Sequence, residues 1–169
     1  MNNSLRQKLE ATFKDIRIAI PEGNRMAVTV ENGSVCAILR FLKDAGFDHL
    51  SLISAVDYIE DNEFELCYIL TCYMQGRNFE GQDLHIILKT RIPREDPFPQ
   101  TAIGIYPNAE PYEREMHELF GIKFEGHPRL TPLFLEREYE TPPFRKDFDT
   151  RKYVEEVFER IPPVEKKDK

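Results

Sequence analysis

The chain has 169 residues, of which 41% are hydrophobic and 31% charged. That suits one compact domain with a tail and argues against wholesale disorder. Its net charge of −7 argues against a general nucleic-acid binder, which presents a basic face to phosphates.

No apolar run reaches the roughly 18 to 20 residues that span a bilayer. The opening stretch MNNSLRQKLEATF lacks the apolar core of a secretory signal. A soluble, cytosol-side protein is expected, and such a protein can still sit on a membrane complex. The three cysteines, Cys36, Cys67 and Cys72, form no disulfide framework and read as reduced thiols. Neither the CxxC pairs of zinc sites nor the cysteine runs of iron–sulfur sites occur, and His49, His85, His117 and His127 are scattered. No metal or cluster is expected in this chain.

In chain order, Ser4 is placed to cap a first helix, with Gln7 completing a capping box. Leu5, Leu9, Phe13 and Ile16 follow at helical spacing. Pro21, Gly23 and Asn24 break the chain. A strand over 26–31 puts Met26, Val28 and Val30 on one face. Ser34 looks like the next cap, Val35, Ile38, Leu39 and Leu42 form a helical stripe, and Gly46 is a stop for that helix. Three strand-like runs come next. Over 49–58 the inward face reads Leu50, Leu52, Val56 and Tyr58. Over 63–74 it reads Phe64, Leu66, Tyr68, Leu70 and Met74. Over 83–92 it reads Leu84, Ile86, Leu88 and Ile92, with Asp83, His85, Lys89 and Arg91 outward. The polar links at 60–62 and 75–82 predict antiparallel neighbours. The first strand, its helix and the second strand suit a crossover unit. The fold class is α+β: a small mixed, mainly antiparallel sheet with helices on one side.

From Pro93 onward prolines punctuate the chain and leave room for only two short helices, near 109–120 and 151–160. The rest is expected to run extended over a surface. The division is residues 1–125 as the α+β domain and 126–169 as an extended C-terminal docking tail.

The helix over 109–120 is well specified. Asn108 stands at its cap, Pro111 in its first turn, Glu110 near its positive end and Gly121 at its stop. Tyr112, Met116, Leu119 and Phe120 form its apolar stripe. Glu113 and Glu115 flank that stripe, about 200° apart at about 100° per residue. They therefore do not form a two-carboxylate acid–base pair on one bond. Carboxylates bordering a buried stripe need cationic or N–H partners, within the domain or across an interface.

The run Glu113-Arg114-Glu115, Glu118-Leu119-Phe120-Gly121, Phe124, His127-Pro128 and Leu130 resembles the signature of the thirty-kilodalton subunit family of respiratory complex I. The same family serves membrane-bound nickel–iron hydrogenases and ferredoxin- or coenzyme-linked complexes. The stretch Pro143-Phe144-Arg145-Lys146-Asp147-Phe148 is similar to the family's second recurrent motif. Two departures stand out. Many respiratory members carry basic residues after His-Pro-x-Leu, where this chain has Thr131-Pro132-Leu133-Phe134-Leu135. Position 118 is Glu where Asp is common. The lost basic residues hint at a hydrogenase-like branch.

The resemblance implies a non-catalytic subunit that binds no cofactor. It implies docking beside a large catalytic subunit of the complex I 49-kilodalton or nickel–iron hydrogenase type, with a small iron–sulfur subunit as a further partner and the membrane arm reached indirectly. Iron–sulfur clusters, and a nickel–iron centre or quinone, would belong to those partners. The assembly would couple electron transfer to ion translocation, with this chain on the cytoplasmic side. Carried over as partner-interface residues are Glu113, Arg114, Glu115, His127, Pro128, Arg145, Lys146 and Asp147. Each has a plainer alternative. His127 can hold a turn before Pro128, Arg145 and Lys146 can be a solvated basic pair, and Glu115 can form an intradomain salt bridge. Two other readings compete: a stand-alone interaction module outside any redox complex, and a stand-alone enzyme using Glu113, Glu115 and His117 or His127, against which the helix geometry argues.

Overall fold

The computed structural model describes residues 2–21, 24–72, 84–135 and 139–157. In chain order the elements are α1 (Asn2–Thr12), β1 (Arg17–Ala19), β2 (Arg25–Glu31), α2 (Val35–Asp44), β3 (His49–Tyr58), β4 (Glu63–Thr71), β5 (His85–Pro93), α3 (Ala109–Phe120) and α4 (Thr150–Val157). The strands form one five-stranded sheet in the order β1-β2-β5-β4-β3. Among the described strand pairs of this sheet, only β2–β5 is parallel. The expected α+β class with a mixed, mainly antiparallel sheet holds.

Strict alternation builds β4 and β5. Phe64, Leu66, Tyr68 and Leu70 pair with Ile92, Thr90, Leu88 and Ile86, and all are buried. Met26, Val28 and Val30 of β2 extend the same layer, and the stripe Val35, Ile38, Leu39 and Leu42 of α2 covers it. Each enclosed aliphatic side chain contributes about 1.5–3 kcal/mol of burial. Gly46 follows α2 with φ 104, a conformation glycine adopts at little cost. Because β2 and β3 both run parallel to β5, the β2–α2–β3 connection is a crossover spanning two intervening strands.

Three local expectations are corrected, and one strand is added. Helix α1 begins at Asn2, so Ser4 lies inside it, and it stops at Thr12 ahead of Asp15, whose φ is 59. The short β1, unforeseen, pairs antiparallel with β2. In β3 the register shifts between Leu50 and Leu52, which turns Leu52 and Val56 outward and Ile53 and Asp57 inward. A one-residue slip reverses every side chain after it. The strand predicted over 63–74 ends at Thr71; Met74, Asp83 and the link at 75–82 lie outside the described residues.

Candidate functional site at the third helix

Helix α3 packs its apolar stripe toward the core, with Phe120 edge-on to Phe64 at 5.8 Å. Its ends serve tertiary structure. The Asn108 side chain does not cap the helix; its amide donates to the Leu50 carbonyl at 2.7 Å. Tyr112 donates its hydroxyl to the Ser51 carbonyl at 2.9 Å. Together they fasten α3 to the irregular start of β3. Gly121 ends the helix at φ 78, where a Cβ would stand 3.1 Å from Pro142.

Glu113, expected at an interface, is fully enclosed, with 0% exposure. Its carboxylate accepts the Thr101 hydroxyl and the Ala102 N–H, both at 2.6 Å. No cation pairs with it among the described residues. Burial pushes its pKa up to about 7, opposed by those two hydrogen bonds. Cys36 and Tyr68 lie close enough to feel this carboxylate, and burial raises both of their pKa values.

The outer face of α3 holds a length of the chain's own backbone. Arg114 donates to the carbonyls of Thr131 at 2.9 Å and Pro132 at 2.7 Å. One turn on, the Glu118 carboxylate accepts the N–H groups of Leu133, Phe134 and Leu135. Residues 114 and 118 share one helix face, so a cation for carbonyls and an anion for amides bind consecutive peptide groups. His127 Nδ1 accepts the Arg129 N–H at 3.0 Å, which puts its proton on Nε2, 3.4 Å from the Glu110 carbonyl. The turn-holding reading of His127 describes these bonds.

A second contact closes over the end of the sheet. Asp57, buried by the register shift in β3, receives both Nε and Nη2 of Arg94 at 2.9 and 3.2 Å. It also accepts the Lys146 N–H at 2.8 Å. Arg94 reaches on to Asp147 at 2.5 Å. Arg145 donates to the Phe120 carbonyl at 2.8 Å and lies over Phe64, its pKa lowered by burial and by Arg94. The Phe144 N–H donates to the Leu119 carbonyl, and its ring meets Phe120 at 5.8 Å. The motif at 143–148 is thus bound to the C-terminal end of α3.

A model of the family described as "Respiratory-chain NADH dehydrogenase, 30 Kd subunit" matches residues 28–154. The chain belongs to that family. A subunit of the F(420)H(2) dehydrogenase of Methanosarcina mazei is 35% identical over 127 residues, covering 74% of this chain and 76% of that one. A subunit of the NADH-quinone oxidoreductase of Rhizobium rhizogenes is 34% identical over 132 residues, covering 76% of this chain and 62% of that one. A chain in the structure of the membrane-bound sulfane sulfur reductase, an archaeal respiratory membrane complex, superposes with a TM-score of 0.82. It is 31% identical, with 99% of this chain and 97% of that chain covered.

In this member of the 30-kDa subunit family, the residues carried over from the motifs therefore divide by environment. Glu113, Arg114, His127, Arg145 and Asp147 are engaged within the chain. Pro128 is exposed. The side chains of Glu115 and Lys146 make no hydrogen bond or ion pair among the described residues, and Lys146 is exposed. Phe134, 70% exposed, and Phe144, 59% exposed, are each held through their own backbone N–H. Sequence reading missed Asp57, Arg94 and Glu118. The signal for Glu118 was its place inside the motif four residues after Arg114; Asp57 and Arg94, 37 residues apart, left none in local spacing.

Proposed function

We infer that this chain is a non-catalytic peripheral subunit of a complex I-like oxidoreductase, docking on the large catalytic subunit and, beside it, the small iron–sulfur subunit. Membership of the 30-kDa family and relatives named as subunits of respiratory complexes support this reading. The observation that carries it is the use made of the two motifs. They bind one another around α3 and leave Lys146, Phe134 and Phe144 exposed, with Glu115 half-buried and without an internal partner among the described residues. Large aromatics with a charged rim are the composition of protein-binding anchors.

The role is positional. The chain holds the catalytic subunit in place while its partners pass electrons and couple that transfer to ion translocation, and it carries no cofactor of its own. Among the described residues no group of three His, Cys, Asp or Glu side chains could hold a metal ion, and no helix is long and apolar enough to cross a membrane. In this reading attachment is through partners, on the cytoplasmic side.

The experiment is affinity capture of the tagged chain from its native cells. A large catalytic subunit and a small iron–sulfur subunit should co-purify, and Lys146→Glu with Glu115→Lys should cut their recovery at least tenfold without lowering the melting temperature of the isolated chain. Recovery of the wild-type chain as a lone monomer would sink the reading. Arg145 is unsuited to this test, because its guanidinium is an internal contact.

A further inference from the structure

The sheet ends in two very different edges. An edge strand presents unpaired N–H and C=O groups that template another extended chain, and proteins blunt such edges with shortness, charge, bulges or cover. β1, at one side, is only three residues long and carries the exposed Arg17. β3, at the other, is ten residues long; α3 packs along it, and its outward backbone groups are hydrogen-bonded over its first part only. There the register shifts between Leu50 and Leu52, and Asn108 and Tyr112 occupy the carbonyls of Leu50 and Ser51. The hydrogen bonding stops at that point. Over 52–56 the outer backbone has no partner among the described residues, and the sequence Leu-Ile-Ser-Ala-Val contains no proline and no charge. Asp57, turned inward to Arg94, closes the free stretch.

The side chains along this edge point to one kind of occupant. Leu52 and Val56 lie on the sheet face away from the core at 38% and 43% exposure, with Ser54 between them. Only another extended backbone can pair a ladder of alternating donors and acceptors. Glu115 lies one turn beyond Tyr112 on α3, the helix fastened to this strand, and is unpaired among the described residues.

We propose that the outer edge of β3 over 52–56 is a strand-addition site for an extended segment of a protein partner in the assembly. That segment sets apolar side chains against Leu52 and Val56, a small one against Ser54, and a lysine or arginine toward Glu115. The inference rests on the subunit reading above and specifies one of its contacts.

The test compares hydrogen–deuterium exchange of the 52–58 backbone in the isolated chain and in the affinity-purified complex. Outward amides should exchange freely in the isolated chain and at least 100-fold more slowly in the complex. Leu52→Lys with Val56→Lys should cut partner recovery at least tenfold while the isolated chain melts as before. A complex that contains the large subunit yet leaves 52–56 unprotected overturns this inference alone. A lone chain in the native extract overturns the subunit reading and this inference with it. Protection that appears in the isolated chain together with a dimer mass assigns the edge to a second copy, and that also overturns the proposal.

Discussion

The guanidinium of Arg94 meets both carboxylate oxygens of Asp57, at 2.9 and 3.2 Å, with both side chains largely shielded from water. Such a forked, desolvated pair ties the end of β3 to the chain leaving β5, and the Lys146 N–H adds the tail to the same carboxylate. The carboxylate also raises the pKa of Arg94, chiefly through these hydrogen bonds. Removing one partner is costly because the other is left charged and buried. Arg94→Ala is expected to lower stability by about 3–5 kcal/mol, read from urea unfolding midpoints. Lys146→Ala should change stability by under about 0.5 kcal/mol, since only its backbone enters the contact.

Glu113 gives the fold a pH dependence of its own. Its pKa rises from the ordinary 4.5 to about 7 on folding, so the native chain holds this proton more tightly than the unfolded chain. The resulting stability is complete below pH 4.5, declines as pH rises through 7, and is absent above it. The full difference is roughly 3 kcal/mol. The groups that interact with it, Cys36, Tyr68 and Glu110, include no cation. Glu113→Gln keeps an acceptor for the Ala102 N–H and does not titrate. The stability of this variant relative to wild type should therefore climb between pH 4.5 and 7.5. Parallel stability curves for the two proteins would refute the assignment.

Glu118 is expected to control the order of the segment at 131–135 more than the stability of the domain. Glu118→Ala leaves three neighbouring N–H groups to water in a partly exposed place. Global stability should fall by only about 1–2 kcal/mol, while protease cleavage near Phe134 should accelerate markedly over wild type. Glu118→Asp, one methylene shorter, should be intermediate.

Gly121→Ala tests the junction between α3 and the tail. The φ of 78 costs a non-glycine residue about 1–2 kcal/mol, and the added methyl would press on Pro142 at 3.1 Å. A destabilisation of about 2 kcal/mol is expected by thermal melting, together with faster exchange of the Phe144 amide, whose acceptor is Leu119.

Periodic segments were readable without coordinates because burial imposes the period. β4 and β5 follow their alternation residue by residue, and the stripe of α2 is the buried one. β3 was legible as a strand and illegible as a face, since its irregularity at Leu50 and Leu52 obeys tertiary packing against Asn108 and Tyr112. β1 was too short to carry a pattern. At the site, the helix bounds and the motif residues were plain, but the direction in which each charge points was not. Glu113 was placed at the border of the apolar stripe, and it lies within the buried face, satisfied by Thr101 and Ala102 from a loop that has no sequence period. The partners of Arg114 and Arg145 are backbone carbonyls, which any residue supplies and no sequence pattern marks.

The bonds that hold residues 131–135 and 143–147 against α3 also bear on association. A free tail of this length would have to be ordered at the moment of binding, at roughly 1–2 kcal/mol of backbone entropy per residue. Here Arg114, Glu118 and Asp57 fix those peptide groups while the chain is still alone. The outward rings of Phe134 and Phe144 are then presented by a backbone already in place, and recognition can proceed as a meeting of two formed surfaces instead of a coupled folding event.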